Sequence, residues 1–258
     1  MKIATFNANS VRSRLPILLR WLEKEKPDVL ALQETKVVDA SFPRADFENA
    51  GWHVACRGQK SYNGVALISK KPLEQICLRM DPGNPEEEAR FMTALCGDVL
   101  LINTYVPQGF AVDSPKFQKK MKFFADLKAL LARTVGPDQP ALWMGDINVA
   151  PTEIDLWDPQ RNADHPCFHP LAREAFQSVC GDRWTDLFRL KETGGGHYTY
   201  WDYLWPANFE RNRGWRIDLM MGTAPMAPRL ERIWIDKEPR GWEKPSDHTF
   251  LAAEFSVP

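Results

Sequence analysis

Short apolar runs recur along this chain, and they limit its possible folds more than any other feature. In chain order they read KIATF, VLALQ, GVALIS, FMTALC, VLLINTY, ALWMG, WRIDLMM and TFLAAEF. Short runs of this composition, bounded by turn-forming residues, predict β-strands. So many short strands, with the hairpin-like sequence SYNGV among them, favour two facing sheets over one large sheet.

Two helical stripes are interleaved with these strands. The first stripe follows the first strand and consists of Val11, Leu15, Leu18 and Leu22. The second begins after Ser114 as N-cap and Pro115 in the first turn, and consists of Phe117, Met121, Phe124 and Leu131. The mixture predicts an α/β (α+β) fold with helices outside the sheets. We expect a single domain, 1–258, with residues 81–90 as a surface loop.

Composition narrows the class of protein. The 33 Lys and Arg residues nearly cancel the 34 Asp and Glu residues, so a polyanionic partner must be met by a local patch. The 5 cysteines form no Cys-x-x-Cys pair, which argues against a disulfide framework or a zinc ribbon and favours a reducing compartment. Apolar runs are too short for a signal peptide or a membrane span, so we expect a soluble, cytoplasmic protein with no membrane partner.

Polar side chains recur where the strands end. In chain order they are Asn7, Asn9, Glu34, Asn103, Tyr105, Asp146, Asn148, Asp218, Asp247 and His248. Any one of them alone is more simply a turn residue. Asp218 is the exception, because it lies between Ile217 and Leu219, and a buried carboxylate without a partner is costly. His248 is its predicted partner, since an Asp that orients a His recurs in catalytic and metal sites.

These residue types favour chemistry with a hard cation. Carboxylate and amide oxygens suit Mg²⁺, with Mn²⁺ as the alternative, and Glu34 and Asp247 are the leading ligands. A hard cation beside an acid, a His and amide groups describes phosphodiester hydrolysis better than acyl transfer or redox chemistry. A zinc site at His165, Cys167 and His169 is a weaker alternative, because Pro166 disfavours a helix that would align the two histidines.

Residues 194–219 concentrate aromatic and arginine side chains. Aromatic faces suit bases or sugars and cations suit phosphates, although at least half of these aromatics are expected in the core. Residues 57–62 and Lys116, Lys119, Lys120 and Lys122 extend the predicted nucleic-acid surface.

Eight motifs together resemble one family. They are FNANSVR, LALQETK, YNGVALISK, INTYVPQG, MGDINVAPTEIDL, YTYWDY, RGWRIDLMM and KPSDH. In this order they resemble exonuclease III and the apurinic/apyrimidinic endonucleases of the endonuclease–exonuclease–phosphatase superfamily. The resemblance runs from Lys2 to nearly the C-terminus.

The resemblance implies a fold, a reaction and a partner. The fold is a four-layer α/β/β/α sandwich, with two facing mixed β-sheets flanked by helices. The reaction is Mg²⁺-dependent hydrolysis of DNA phosphodiesters in base-excision repair, comprising incision at abasic sites, 3′→5′ exonuclease activity and 3′-end cleaning by 3′-phosphatase and 3′-phosphodiesterase activities. The partner is double-stranded DNA with abasic sites or 3′ ends, and we expect a monomer associated with the nucleoid.

The resemblance also implies roles for site residues. Glu34 is the principal Mg²⁺ ligand, with Asn7, Asn9 and Asp247 near the metal and its waters. The catalytic residues are Asp146, which directs the attacking water, Asn148, which orients it, His248, which contacts the phosphate and is held by Asp218, and Tyr105, which lies beside the scissile phosphate. The residues implied to contact the DNA backbone are Arg12, Tyr62 and Gln108.

A pocket for a flipped-out abasic sugar is implied at Tyr200, Trp215 and Ile217, and Trp201 is predicted as a further DNA contact. Two residues depart from the family pattern: Tyr200 stands where a Phe is common, and Cys167 stands where Gly or Ser is usual. A bulkier wall narrows the pocket, which disfavours abasic-site incision more than 3′-end trimming. Two alternatives are an inositol or lipid phosphate phosphatase on the same scaffold and a catalytically silent DNA-binding homologue.

Overall fold

The computed structural model describes residues 1–205 and 207–256, which form two six-stranded sheets with helices outside them. The first sheet contains β1 (Lys2–Asn7), β2 (Val29–Gln33), β3 (His53–Arg57), β4 (Val65–Ser69), β11 (Leu230–Asp236) and β12 (Phe250–Phe255). The second contains β5 (Glu74–Cys77), β6 (Phe91–Cys96), β7 (Val99–Tyr105), β8 (Ala141–Asp146), β9 (Trp184–Asp186) and β10 (Asp218–Thr223). The helices are α1 (Val11–Glu25), α2 (Arg44–Asn49), α3 (Pro115–Thr134), α4 (Pro170–Cys180) and α5 (Ala207–Glu210).

Both sheets are mixed, as predicted. Their strand orders are β11-β12-β1-β2-β4-β3 and β5-β6-β7-β8-β10-β9. The pairs β1–β2 and β7–β8 are parallel, and the other pairs are antiparallel. Since carboxyl ends of parallel neighbours meet at one edge, β1 and β2 end together in the first sheet, and β7 and β8 end together in the second.

Apolar side chains fill three layers of core, which confirms the four-layer sandwich. One cluster lies between the sheets and includes Ile3, Leu67 and Met144. A second joins the outer face of the second sheet to α3 and α4 through Trp143, and a third joins the first sheet to α1. In that third layer the ring of Phe250 stacks on Trp21 with centroids 4.1 Å apart.

The helix predictions hold in detail. Val11, Leu18 and Leu22 are buried on α1, and Leu15 is partly buried. Ser114 caps α3 by accepting a hydrogen bond from the N–H of Phe117 at 3.2 Å. Residues 81–90 form the predicted loop between β5 and β6. Within the described residues, no helix combines the length and the apolar character that a membrane span requires.

Candidate active site

The strand ends bring acidic and amide side chains from both sheets together. Asn7 ends β1, and Glu34 directly follows β2 in the same sheet, whereas Asp146 ends β8 in the other sheet. The Asn7 Nδ2 donates to Glu34 Oε1 and to Asp146 Oδ2, both at 2.8 Å. One amide group therefore links a carboxylate of each sheet at the floor of the site.

A histidine and two aspartates form the second part of the floor. His248 Nδ1 lies 2.7 Å from Asp218 Oδ2, and its Nε2 lies 3.8 Å from Asp146 Oδ2. Burial alone would lower the pKa of His248, but the carboxylates of Asp218 and Asp146 outweigh burial and raise it to about 10. The predicted Asp218–His248 pair is thus present, and the imidazole carries a positive charge at neutral pH.

The pKa values of Asp146 and Glu34 are shifted in opposite directions. Burial raises the pKa of Asp146 to about 7; His248 opposes this rise, while Asp218 and Glu34 add to it. Burial also acts to raise the pKa of Glu34, but the charge of Lys36 and the hydrogen bond from Asn7 outweigh it and lower the pKa. Lys36 Nζ lies 2.8 Å from Glu34 Oε2. Lys36 belongs to the LALQETK motif, but the sequence alone predicts no role for it.

The donor set fits a divalent cation. Glu34, Asp146 and His248 each offer one ligand atom, and these atoms lie within 4.8 Å of one another. Carboxylate oxygens suit a hard cation, and a cation here would compensate the adjacent buried carboxylates. Protonated His248 contributes charge rather than a ligand atom, so Glu34 and Asp146 are the residues that would hold the ion.

The other predicted metal residues surround this pair and act on it indirectly. Asn7 is predicted beside the metal, but its Oδ1 accepts the N–H of Asn9 at 2.9 Å, so its amide N–H groups face the carboxylates. In this arrangement Asn7 positions the carboxylates of Glu34 and Asp146, and its predicted place near the metal stays a prediction. Asn9 Nδ2 donates to Asp247 Oδ1 at 2.9 Å, and Asn9 Oδ1 accepts from Lys36. Asp247 lines the same cleft but is not one of the three side chains whose ligand atoms lie within 4.8 Å of one another, so its role as a ligand stays a prediction.

Backbone strain is concentrated in the site. Asn9, Glu34 and Asn148 adopt left-handed backbone conformations with φ of 44°, 49° and 50°. Such conformations are unfavourable for a residue like Glu and recur where a side chain must be aimed. A Cβ on Gly145 would lie 2.0 Å from the Thr104 carbonyl oxygen, so only glycine fits directly before Asp146.

Asn148 and Tyr105 complete the predicted catalytic set. The N–H of Asn148 donates to Asp146 Oδ1 at 3.0 Å, and its Nδ2 donates to the Val106 carbonyl at 2.9 Å. Burial, with Glu34 and Asp146 nearby, raises the pKa of Tyr105 well above its ordinary value, so it remains a neutral hydroxyl. Arg90, to which sequence reasoning gave no role, lies over the Tyr105 ring at 4.6 Å.

A cleft with a volume of about 400 Å³ opens above this floor. Its lining includes both the floor and most residues predicted for the sugar pocket: Glu34, Tyr105, Gln108, Asp146, Asn148, Cys167, Tyr200, Trp215, Ile217, Asp247 and His248. Tyr62 and Gln108 line an adjacent cleft with Arg90 and Lys116. Arg12 lies on the surface, where its Nε donates to the Ser41 carbonyl at 3.2 Å.

Two sequence predictions for DNA contacts are wrong. Trp201 is 0% exposed and its ring packs edge-on against Phe209, so it supports the cleft wall from behind. Lys120 is also fully buried, because its Nζ donates to the carbonyls of Asn148, Pro166 and Gln108 at 2.6, 2.9 and 3.2 Å. These three carbonyls belong to three loops at the cleft, so Lys120 ties the loops together instead of facing solvent.

The alternative zinc site is not formed. His169 caps α4, where its side chain accepts the N–H of Leu171 at 3.3 Å. His165 accepts the N–H of Cys167 at 3.2 Å and lines the cleft. In the described residues, the group of side chains able to hold a metal contains neither histidine.

A buried cluster of carboxylates with a positively charged histidine, at one edge of two facing sheets, defines a hydrolase site that uses a divalent cation. The model of the Endonuclease/Exonuclease/phosphatase family matches residues 4–248, and the chain belongs to this family. Exodeoxyribonuclease III of Haemophilus influenzae is 36% identical over 267 residues, which cover 99% of this chain and 100% of that protein.

Solved structures agree with this assignment over the whole chain. An AP endonuclease from Archaeoglobus fulgidus is 43% identical with a TM-score of 0.96, and each chain is covered to 100%. A 3′ phosphatase from Neisseria, solved with a product DNA hairpin, is 35% identical with a TM-score of 0.94, again with 100% of each chain covered.

Proposed function

We propose that this protein hydrolyses DNA phosphodiester bonds in base-excision repair, at abasic sites and at 3′ ends, with Mg²⁺ as the cation and Mn²⁺ as a substitute. The observation that carries the proposal is the position of Asp146, which lies buried between Glu34 and protonated His248 at the bottom of an aromatic-lined cleft. The relatives named exodeoxyribonuclease III, AP endonuclease and 3′ phosphatase support DNA as the substrate.

The geometry supports a separate role for each residue in the hydrolysis of the phosphodiester bond. Asp146 accepts a proton from the water that attacks phosphorus. His248 donates a charge-assisted hydrogen bond to a non-bridging phosphate oxygen, where negative charge develops. Asn148 fixes the Asp146 carboxylate through its backbone N–H. A cation held by Glu34 and Asp146 would supply further neutralisation of phosphate charge.

The 3′ end is the better substrate in this proposal. Tyr200, Trp215 and Ile217 line the part of the cleft proposed for an abasic sugar, and Cys167 adds a side chain to its wall. We further propose a monomer acting on nucleoid DNA in the cytoplasm. The five cysteines are free, which supports a reducing compartment.

The test is an activity assay with an inactivating substitution. Purified protein with Mg²⁺ should cut a duplex that carries a tetrahydrofuran abasic analogue and should shorten a recessed 3′ end. Asp146→Asn removes the proton acceptor and should lower both rates by roughly 10²–10⁴-fold, the usual contribution of a general base. Asp126→Asn, on the exposed face of α3, is the matched control.

Two outcomes would contradict the proposal. Full activity of Asp146→Asn would remove this residue from the mechanism. Release of phosphate from an inositol polyphosphate without any DNA cleavage would favour the phosphatase alternative.

A further inference from the structure

Lys120 is a buried cation that the proposed mechanism does not use. It lies on α3, and its exposed fraction is 0%. Its neighbours Phe117, Phe123 and Phe124 pack into the core beside the second sheet, so the helix gives the lysine a rigid base. Burying a charged group is costly unless all its hydrogen bonds are made, so a lysine in this position indicates a specific set of partners.

Three backbone carbonyls supply those partners. The Nζ of Lys120 donates to the carbonyl oxygen of Asn148 at 2.6 Å, of Pro166 at 2.9 Å and of Gln108 at 3.2 Å. An ammonium group has three N–H donors, one for each carbonyl, whereas a neutral amine would leave one carbonyl without a donor. The three acceptors therefore fit the charged form of Lys120, and its donors have no capacity left for a further partner.

One of the three carbonyls belongs to residues 146–150, which we call the catalytic loop. Asn148 has a left-handed backbone with φ of 50°, a conformation that persists only when its surroundings hold it. Its N–H donates to Asp146 Oδ1 at 3.0 Å, and its Nδ2 donates to the Val106 carbonyl at 2.9 Å. Lys120 binds the carbonyl oxygen of the same residue, so the ammonium acts on Asp146 through Asn148.

The other two carbonyls belong to loops that border the catalytic loop. Gln108 lies between β7 and α3 and lines both clefts, and Pro166 directly precedes Cys167 of the cleft wall. A Cβ on Gly109 would lie 3.1 Å from Pro166 Cβ and 3.4 Å from Lys120 Cδ, so the loops pack closely around the lysine. The ammonium of Lys120 therefore lies where three loops of the site meet.

We propose that Lys120 is a positioning residue for hydrolysis, because its ammonium fixes the catalytic loop and so the direction in which Asp146 meets the attacking water. The inference rests on the proposed function, in which Asp146 accepts a proton from that water. Lys120 is closed off from solvent and cannot touch the substrate. Its loss should therefore slow the chemical step and leave DNA binding almost unchanged, since a displacement of about 1 Å in a reacting group can cost roughly 10²-fold in rate.

The first experiment separates the rate of the chemical step from DNA affinity. Single-turnover cleavage of a recessed 3′ end is measured at saturating enzyme with Mg²⁺, and the Kd for the same DNA is measured in EDTA at the same ionic strength. Lys120→Met leaves three carbonyls without a donor, so it should lower the rate by roughly 10²-fold and change the Kd less than about threefold. Lys128→Met, at an exposed residue of α3, should match the wild type in both measurements.

Lys120→Arg covers the case in which Lys120→Met does not fold. It keeps a buried positive charge, but a planar guanidinium cannot direct one N–H to each of three carbonyls that converge on a single nitrogen. The rate should therefore fall roughly tenfold, less than in Lys120→Met, with the Kd for DNA unchanged. A wild-type rate in either folded variant, or a loss confined to DNA affinity, would overturn the positioning role.

Hydrogen exchange tests the same geometry without DNA cleavage. The amides of Val106, Asn148 and Ala150 donate to groups of the catalytic loop or of the loops beside it. In the Lys120 variants these amides should exchange at least about tenfold faster than in the wild type, while the amides of α1 keep their protection and Lys128→Met matches the wild type. Unchanged protection in the folded variants would overturn the inference. Lost protection, in a protein whose wild type cuts no DNA, would refute the proposed function and leave the role of Lys120 in holding the loop intact.

Discussion

At the scale of single residues, Cys167 is the side chain through which we expect the cleft to select its substrate. It is buried, its Sγ lies 3.6 Å from Asn148 Oδ1, and it lines the cleft. Burial raises the pKa of its thiol to about 11, so the side chain is a neutral wall and not a nucleophile at neutral pH. Its main contribution is volume, at the place where an abasic sugar would enter.

Shortening this side chain should therefore favour abasic sites. We predict that Cys167→Gly raises the ratio of incision at tetrahydrofuran to trimming of a recessed 3′ end by roughly tenfold, since a small change in pocket volume alters discrimination by about this factor. The ratio is measured with both substrates in one buffer, because salt strongly changes DNA affinity. Cys180→Ala, at a buried cysteine in the layer of α3 and α4, is the control, and an unchanged ratio in Cys167→Gly would show that Cys167 does not limit access.

At the scale of elements, a buried ion network positions the segment that leads into β10. Arg216 is fully buried between Trp215 and Ile217 of the cleft wall. Its Nε lies 2.7 Å from Asp155 Oδ1, and its guanidinium lies 2.7 Å from Asp186 Oδ2. Breaking such a pair leaves a buried charge without a partner, which typically costs about 3–5 kcal/mol.

This network should make stability sensitive to acid. Burial acts to raise the pKa of Asp155, but Arg216 and Arg189 outweigh it and lower the pKa below the ordinary value of 3.8. The unfolded chain therefore binds the proton first, so the stabilisation is fully present above about pH 4 and is lost as the pH falls through the lowered pKa. Urea unfolding of the wild type and Asp155→Asn at pH 7, 5 and 3 measures this dependence.

The variant should be less stable at pH 7, and the difference should shrink toward pH 3. Asp182→Asn, at an exposed residue after α4, should follow the wild type at every pH. A difference that stays constant from pH 7 to pH 3 would contradict the contribution of Asp155 ionisation.

The sequence predicts some elements of this fold correctly and misses the contacts of others. Ser114, Pro115 and the apolar spacing after them predict α3 correctly, because capping and periodicity act over one or two turns. The sequence wrongly predicts an exposed Lys120 because the residue lies in a lysine-rich stretch of α3, whereas its three carbonyl partners belong to loops elsewhere in the sequence. The sequence does not predict the partners of Arg216 either, since Asp155 lies 61 positions away.

At the scale of the whole molecule, polar side chains join the two sheets where the apolar core ends. Asn103 Nδ2 on β7 donates to the carbonyls of Leu32 and Ala66 in the other sheet, both at 3.0 Å. Asn7 then links Glu34 and Asp146 at the edge. The positions of these polar residues at strand ends predict that they lie close together. The packing of one sheet against the other determines which of them are in contact. A cation shared by Glu34 and Asp146 would hold the sheets together at that edge.

Cation binding should therefore stabilise the whole fold as well as support catalysis. For protein freed of metal with EDTA, free Mg²⁺ at ten times its Kd should add about 1.4 kcal/mol of stability, which corresponds to about 2–5 °C in Tm for a chain of this size. Glu34→Gln removes one of the two carboxylates and should abolish most of this rise. Glu23→Gln, at an exposed residue of α1, is the matched control. Because melting is recorded without substrate, an equal rise in Tm for Glu34→Gln and the wild type would show that the cation binds elsewhere, whatever the nuclease assays find.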